Sequence, residues 1–194
     1  MSARRGFTLV EILIALAVIG IFVSIALPEV QRSTRRAAVR AASSELRTIF
    51  NLARARAVAY NRNCGIKFSE VGKIWVFAVY DDGDGDGVRN DDITKKIDRI
   101  VGAPRVVLPE SRMVTIGVLP ETIRDPDGDK LTATSSPVVF GKSTICSFSA
   151  LGSSSPGTIY ITDKRDSIYA VRVFGTTAKV RVLRYDRGTK RWVS

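Results

Sequence analysis

Apolar residues fill positions 7–27 with one charged interruption, then recur at helical spacing to about residue 60, then gather into short runs separated by Gly, Pro, Ser and Asp. The first pattern predicts a helix of 21 residues, which at 1.5 Å per residue reaches roughly 30 Å, the thickness of a hydrocarbon layer. The second places Val30, Ala38, Ala42, Leu46, Ile49, Ala53, Ala57 and Tyr60 near one face of a continuing helix that ends about Asn61. The third predicts strands: CGIKF, IWVFAVY, PRVVLP, MVTIGVL, PVVFG, TICSFS, GTIYIT, SIYAVRVFG and AKVRVLRY are bounded by turn formers. The apolar face of the helix needs a cover, and a sheet packed on its C-terminal half supplies one, so the expected class is α+β.

Charge sharpens the first segment. Arg4 and Arg5 precede the apolar run with no acid before Glu11, so the positive-inside bias puts the N-terminus in the cytoplasm and everything after residue 27 outside. Glu11 lies inside the run, where an ionised side chain costs a few kcal/mol, so it calls for a cation.

The stretch RRGFTLVEILIALAVIGIFVSIALPEV resembles the N-terminus of type IV pilins and type II secretion pseudopilins. The resemblance covers about an eighth of the chain. It implies a leader, residues 1–6, removed by a prepilin peptidase between Gly6 and Phe7, with N-methylation of Phe7. It also implies that Glu11 meets the terminal amine of a neighbouring pilin or pseudopilin subunit, and that the helix kinks at Pro28. Two opposite charges paired in lipid relieve the penalty that each carries alone. The implied location is the bacterial inner membrane, with the C-terminal part in the periplasm. The expected divisions are then residues 1–6, a membrane and assembly helix at 7–27, its amphipathic continuation at 28–62 and a β-rich domain at 63–194. LARARAVAYNRN and, more loosely, VVFGKSTICSFSALGSSSPGTIYIT are similar to the GspH/FimT minor pseudopilins, whose globular domain is an antiparallel β-sandwich on the end of this helix.

Net charge is +11, which favours anionic partners without choosing among them. The chain has no histidine, so the usual general base, the Ser-His and Cys-His pairs and the common zinc ligands are missing and an enzyme is not expected. Cys64 and Cys146 are the only cysteines; outside the inner membrane they form a disulfide or serve as two buried small hydrophobes. Eight arginines lie between residues 31 and 62 against one acid, Glu45, and are expected on a solvated helix face with a few near phosphate headgroups.

Two charged segments stand out. In YDDGDGDGVRNDDI six aspartates meet one arginine between residues 81 and 92. As a calcium loop, Asp82, Asp84 and Asp86 take the first, third and fifth ligand positions, Gly87 the turn, Val88 a carbonyl ligand and Asn90 a water-mediated one. The twelfth position is Ile93, so Asp91 or Asp92 has to close the shell. A solvated Asp-Gly turn is the alternative, and it is the expected state of the shorter RDPDGDKL. In the tail, residues 172–191 hold seven basic residues against Asp186, and alternation puts Lys179 and Arg181 on one strand face. Some members of the resembled family capture DNA through such a region. That implies Lys179, Arg181, Arg184 and Arg187 as phosphate contacts, although Thr176 and Thr177 follow Gly175 where those members carry arginine.

Overall fold

The computed structural model describes residues 8–107 and 113–194. One helix, α1 (Leu9–Ala59), runs for 51 residues, about 77 Å at 1.5 Å per residue. It starts at a capping box: the Thr8 side chain accepts the Glu11 N–H while the Glu11 carboxylate accepts the Thr8 N–H, so two otherwise orphaned donors are satisfied. It continues through Pro28 without a break. It ends where Asn61 takes φ +46°, with the Arg62 N–H on the Ala57 carbonyl and the Asn61 N–H on the Val58 carbonyl. That paired closure satisfies two terminal carbonyls, and asparagine tolerates the left-handed conformation it needs.

Along α1 every residue from 8 to 34 is exposed, whereas Val39, Ala42, Ser43, Leu46, Phe50, Ala53 and Ala57 are buried. The buried stripe is turned from the one expected. Val30 and Tyr60 are exposed, and Val39, Ser43 and Phe50 are added. Ser43 enters the core because its hydroxyl donates to the Val39 carbonyl at 2.8 Å, leaving no unpaired donor.

Two antiparallel sheets receive this stripe. The first contains β1 (Cys64–Val71), β2 (Ile74–Asp81), β3 (Arg99–Ile100), β4 (Arg105–Val106) and β9 (Ile145–Phe148), in the order β3-β2-β1-β9 with β4 also on β2. The second contains β5 (Thr115–Ile116), β8 (Val138–Phe140), β10 (Gly157–Thr162), β11 (Ile168–Phe174), β12 (Lys179–Asp186) and β13 (Arg191–Val193), in the order β13-β12-β11-β10-β5 with β8 also on β10. A separate hairpin joins β6 (Ile123–Arg124) to β7 (Lys130–Leu131). Consecutive strands β8 and β9 belong to different sheets, which ties the two layers together. The expected α+β architecture, a long helix packed on antiparallel sheets, is what the chain adopts.

Phe50 sits where these parts meet: its ring centroid lies 5.9 Å from Phe68, 5.9 Å from Phe140 and 6.2 Å from Phe148. Such aromatic contacts add to area burial. A smaller core on the outer face of the second sheet joins Leu119, Ile123, Leu131, Tyr160, Ile168 and Ala170. Tyr185 and Trp192, both partly buried, pack against it.

Candidate functional site

At the start of α1, Glu11 Oε2 accepts from the Thr8 amide at 2.9 Å and the Thr8 hydroxyl at 3.0 Å. Among the described residues its other oxygen has no hydrogen bond, so the carboxylate both caps its own helix and keeps an acceptor for a second group. The T-x-x-E spacing of Thr8 and Glu11 is the sequence signal for this cap. Gly6 and Phe7 lie outside the described residues.

The acidic loop follows β2 and is organised around one buried carboxylate. Asp82 is 2 % exposed. Its Oδ1 accepts the amides of Asp84 (3.1 Å) and Gly85 (2.8 Å), and its Oδ2 accepts the Gly87 amide (2.7 Å) and the Asn63 side chain (2.6 Å). Burial pushes the Asp82 carboxyl up, but the bonds from Asn63, Gly85, Gly87 and Asp84 outweigh it and hold it below the usual carboxylate range. One carboxylate oxygen from each of Asp82, Asp84 and Asp86 lies within 4.8 Å of the others, a spread that oxygens at calcium's ligand distance of about 2.4 Å span. Asp86 is raised above its ordinary value by desolvation, opposed by the Arg89 guanidinium and reinforced by Asp84 and Asp92. Arg89 pairs with Asp86, so the loop carries one cation of its own.

The remaining expected ligands are spread out. A short helix, α2 (Asn90–Thr94), begins where a continuing loop was expected, with Asn90 and Asp91 exposed. Asp92 is 8 % exposed, and among the described residues its carboxylate accepts no hydrogen bond. Val88 turns its side chain into the fold, since a Cβ on Gly65 would lie 2.5 Å from it. Two participants were not read from the sequence. Asp98, 3 % exposed, accepts the Gly83 amide at 3.1 Å and the Arg89 amide at 3.0 Å, pinning both sides of the loop. Asp81 belongs to Arg56 in a two-pronged pair at 2.8 and 2.7 Å, so one of the eight helix arginines is structural rather than solvated. These partners are 15 and 25 residues apart in sequence, and no local pattern announces them.

The basic tail is divided by the fold. Lys179 and Arg181 are exposed on the outer face of β12; Arg181 pairs in register with Arg172, and both guanidiniums lie over the Phe174 ring at 5.6 and 5.4 Å. Arg184, out of phase by one residue, faces the other way. Arg187 bonds Glu121 at 2.7 Å and Asp166 at 3.4 Å. The four residues therefore do not form one stripe: alternation turns Arg184 away, and two acids occupy Arg187.

Cys64 and Cys146 are both free and buried. Cys64 faces Phe148 and Cys146 faces Ile66 in the β1–β9 register, so the cysteines are diagonal neighbours, typically about 7–8 Å apart, beyond the usual reach of a disulfide. Both side chains pack among the hydrophobic residues of the core. Burial pushes the Cys64 thiol up to about 12 and raises Cys146 well above its ordinary value, so both stay protonated and inert.

With this geometry in hand, comparison with known proteins is informative. The model of the prokaryotic N-terminal methylation motif matches residues 1–27, and the model of type II transport protein GspH matches residues 42–177. Two fimbrial proteins of Pseudomonas aeruginosa are each 48 % identical over 46 residues, which is 24 % of this chain and 30 % of theirs. The chain thus spans less than a third of those relatives' length. No solved structure matches it. The GspH match takes in the packed half of α1 and most of both sheets, and the chain belongs to the type II transport protein GspH family, as a type IV pilin-like protein of the GspH/FimT type.

Proposed function

We propose that this chain is a minor pilin or pseudopilin, a structural subunit of a type IV pilus or a type II secretion pseudopilus. In this reading a prepilin peptidase cuts between Gly6 and Phe7, Phe7 is N-methylated, and the chain waits in the inner membrane with its globular domain in the periplasm. The observation that carries this reading is the division of α1: all residues from 8 to 34 are exposed while the same helix anchors both sheets. Leaving so many large apolar side chains in water would cost about 1.5–3 kcal/mol each, so lipid or neighbouring helices must cover them. The uncapped oxygen of Glu11 then receives the methylated amine of the next subunit. Mass spectrometry of the mature N-terminus tests the processing: a methylated Phe7 is expected, and an intact Met1 in assembled material would refute it. Glu11→Ala should insert in the membrane normally and fail to co-assemble with partner subunits; normal incorporation would remove Glu11 from this role.

The acidic loop fits calcium as a bound structural ion, held by Asp82, Asp84 and Asp86 with Asp92 buried nearby. An ion there would supply positive charge among crowded carboxylates and stiffen the turn that β2 feeds. Val88, Asn90 and Asp91 follow the three carboxylates in the chain and would have to move toward them to add oxygen ligands. Capture of DNA is a second reading, reduced to Lys179 and Arg181 beside Arg172 and Phe174, because those two cations are exposed and make no ion pair among the described residues.

A further inference from the structure

We propose that a cavity between α1 and the β10–β11 turn binds the phosphodiester of a phospholipid at the outer face of the membrane. The cavity measures about 450 Å³ and is lined by Val30, Gln31, Thr34 and Arg35 of α1, by Met113, and by Asp163 and Arg165 of the turn. Water occupies about 30 Å³ per molecule, so one bridging water would leave most of this space unfilled. Two arginines from separate elements belong to its lining, and among the described residues neither guanidinium has an ion-pair partner. Val30 and Met113 add apolar surface to the lining, suited to a glycerol or the top of an acyl chain.

The wall is chemically incomplete. Among the described residues the buried side-chain polar atoms without a hydrogen bond are Arg35 Nε and Asp163 Oδ2, and both belong to this one cavity's lining. Asp163 is otherwise committed: its Oδ1 accepts the amides of Arg165, Asp166 and Ser167, each at 2.9 Å, and so shapes the turn. An unmet buried donor or acceptor is costly. Arg35 Nε has no bond to lose if the side chain turns toward the cavity, where its Nε and Nη edge matches two phosphate oxygens. With Arg165 and Asp163 also in the lining, the site holds one net positive charge, which a phosphodiester monoanion neutralises; that ligand brings no donor, so Asp163 Oδ2 is met by water rather than by the phosphate.

Height selects the source of that phosphate. Val30 and Arg35 lie three and eight residues past the end of the apolar run at residue 27, about 5 and 12 Å further along the axis. The headgroup layer is about 5–8 Å deep on each side. Helical side chains slant toward the N-terminus, so Arg35 reaches back toward that layer. The ligand is thus a lipid headgroup phosphate, and the inference rests on residues 7–27 being the membrane span.

The test is native mass spectrometry of the full chain in detergent with added phosphatidylglycerol, diacylglycerol or inorganic phosphate. One retained phosphatidylglycerol is expected, with diacylglycerol excluded. Arg35→Gln with Arg165→Gln should weaken retention about tenfold, as expected for lost charge-assisted hydrogen bonds, while Arg36→Gln leaves it unchanged. If the double variant does not fold, Arg165→Gln alone decides, since that exposed side chain makes no hydrogen bond among the described residues. Equal retention of diacylglycerol, unchanged retention by the arginine variants, or displacement by millimolar inorganic phosphate would overturn the proposal. Carbonate extraction of the same variants separates this failure from failure of the membrane reading, because a spanning chain resists extraction whether or not the cavity is filled.

Discussion

Asp82, Asp84 and Asp86 stand at the same alternate spacing as Asp125, Asp127 and Asp129, yet the fold treats the two loops differently. In both, the first aspartate organises the turn: Asp82 accepts four hydrogen bonds, and Asp125 Oδ1 accepts the amides of Asp127 and Asp129 at 2.9 and 2.8 Å. The second loop then surrenders Asp127 to Arg172 at 2.6 Å, a cation delivered by β11. Among the described residues the first receives only Arg89, from its own turn, against three converging carboxylates. A repeated acidic motif is therefore neutralised where a strand of the scaffold brings a counter-charge and keeps its excess negative charge where, among the described residues, none is brought. The basic tail obeys the same rule in reverse, with Arg187 matched by Glu121 and Asp166 and Lys179 and Arg181 unmatched among the described residues.

The largest effect separating the loops should be on stability. Asp82→Ala strands several buried donors and should cost about 3–5 kcal/mol, whereas Asp125→Ala, in an exposed hairpin, should cost about 1–2 kcal/mol. Denaturant unfolding of the chain lacking residues 1–28, whose described part, residues 8–28, is exposed throughout, compares them. Similar costs would mean that the two turns are equivalent. The acid limb sharpens the point. Because the folded Asp82 carboxyl titrates below its ordinary value, its contribution is complete above the unfolded pKa of about 3.9 and fades as pH falls through the folded value. Asp82→Asn should flatten that limb. Asp86, raised instead, contributes with the opposite sign, and its protonation relieves repulsion.

A smaller effect tests the external cation. Calcium at a hundred times its dissociation constant would stabilise the domain by about 2.7 kcal/mol if it binds the folded form alone. Melting temperature in millimolar calcium should rise for the unmodified chain and for a variant carrying Asp127→Ala and Asp129→Ala. It should not rise for one carrying Asp84→Ala and Asp86→Ala. A calorimetric titration without heat at millimolar calcium would leave the first loop as a turn held by Asp82 and Asp98 alone.

Legibility in the sequence followed the range of the interactions. The long helix, its approximate end and the principal strands were readable because their periodicities are local. The exact buried stripe was not: alanines surround α1 widely enough that several faces look apolar, and Phe50 is chosen by Phe68, Phe140 and Phe148, which arrive from strands far along the chain. Strands β3, β6, β7 and β13 have two or three residues each, too few to display alternation. In the acidic loop the convergence of Asp82, Asp84 and Asp86 was legible from spacing, while Asp98 and the Arg56–Asp81 pair were not, because tertiary proximity alone brings them there.

The smallest expected effect concerns the unmatched cations of the tail. If the counter-charge rule extends to DNA, Lys179→Ala with Arg181→Ala should remove about two phosphate contacts, weakening binding to all sequences alike and reducing the slope of log affinity against log salt by about two. Arg187→Ala should leave both quantities nearly unchanged, because its guanidinium is already held by Glu121 and Asp166. The helix arginines are present in every variant and set a common background. Fluorescence anisotropy near physiological salt distinguishes the outcomes: equal losses for the two variants would show a diffuse basic surface, and no loss for either would leave Lys179 and Arg181 as the solvated, charged face of an ordinary strand.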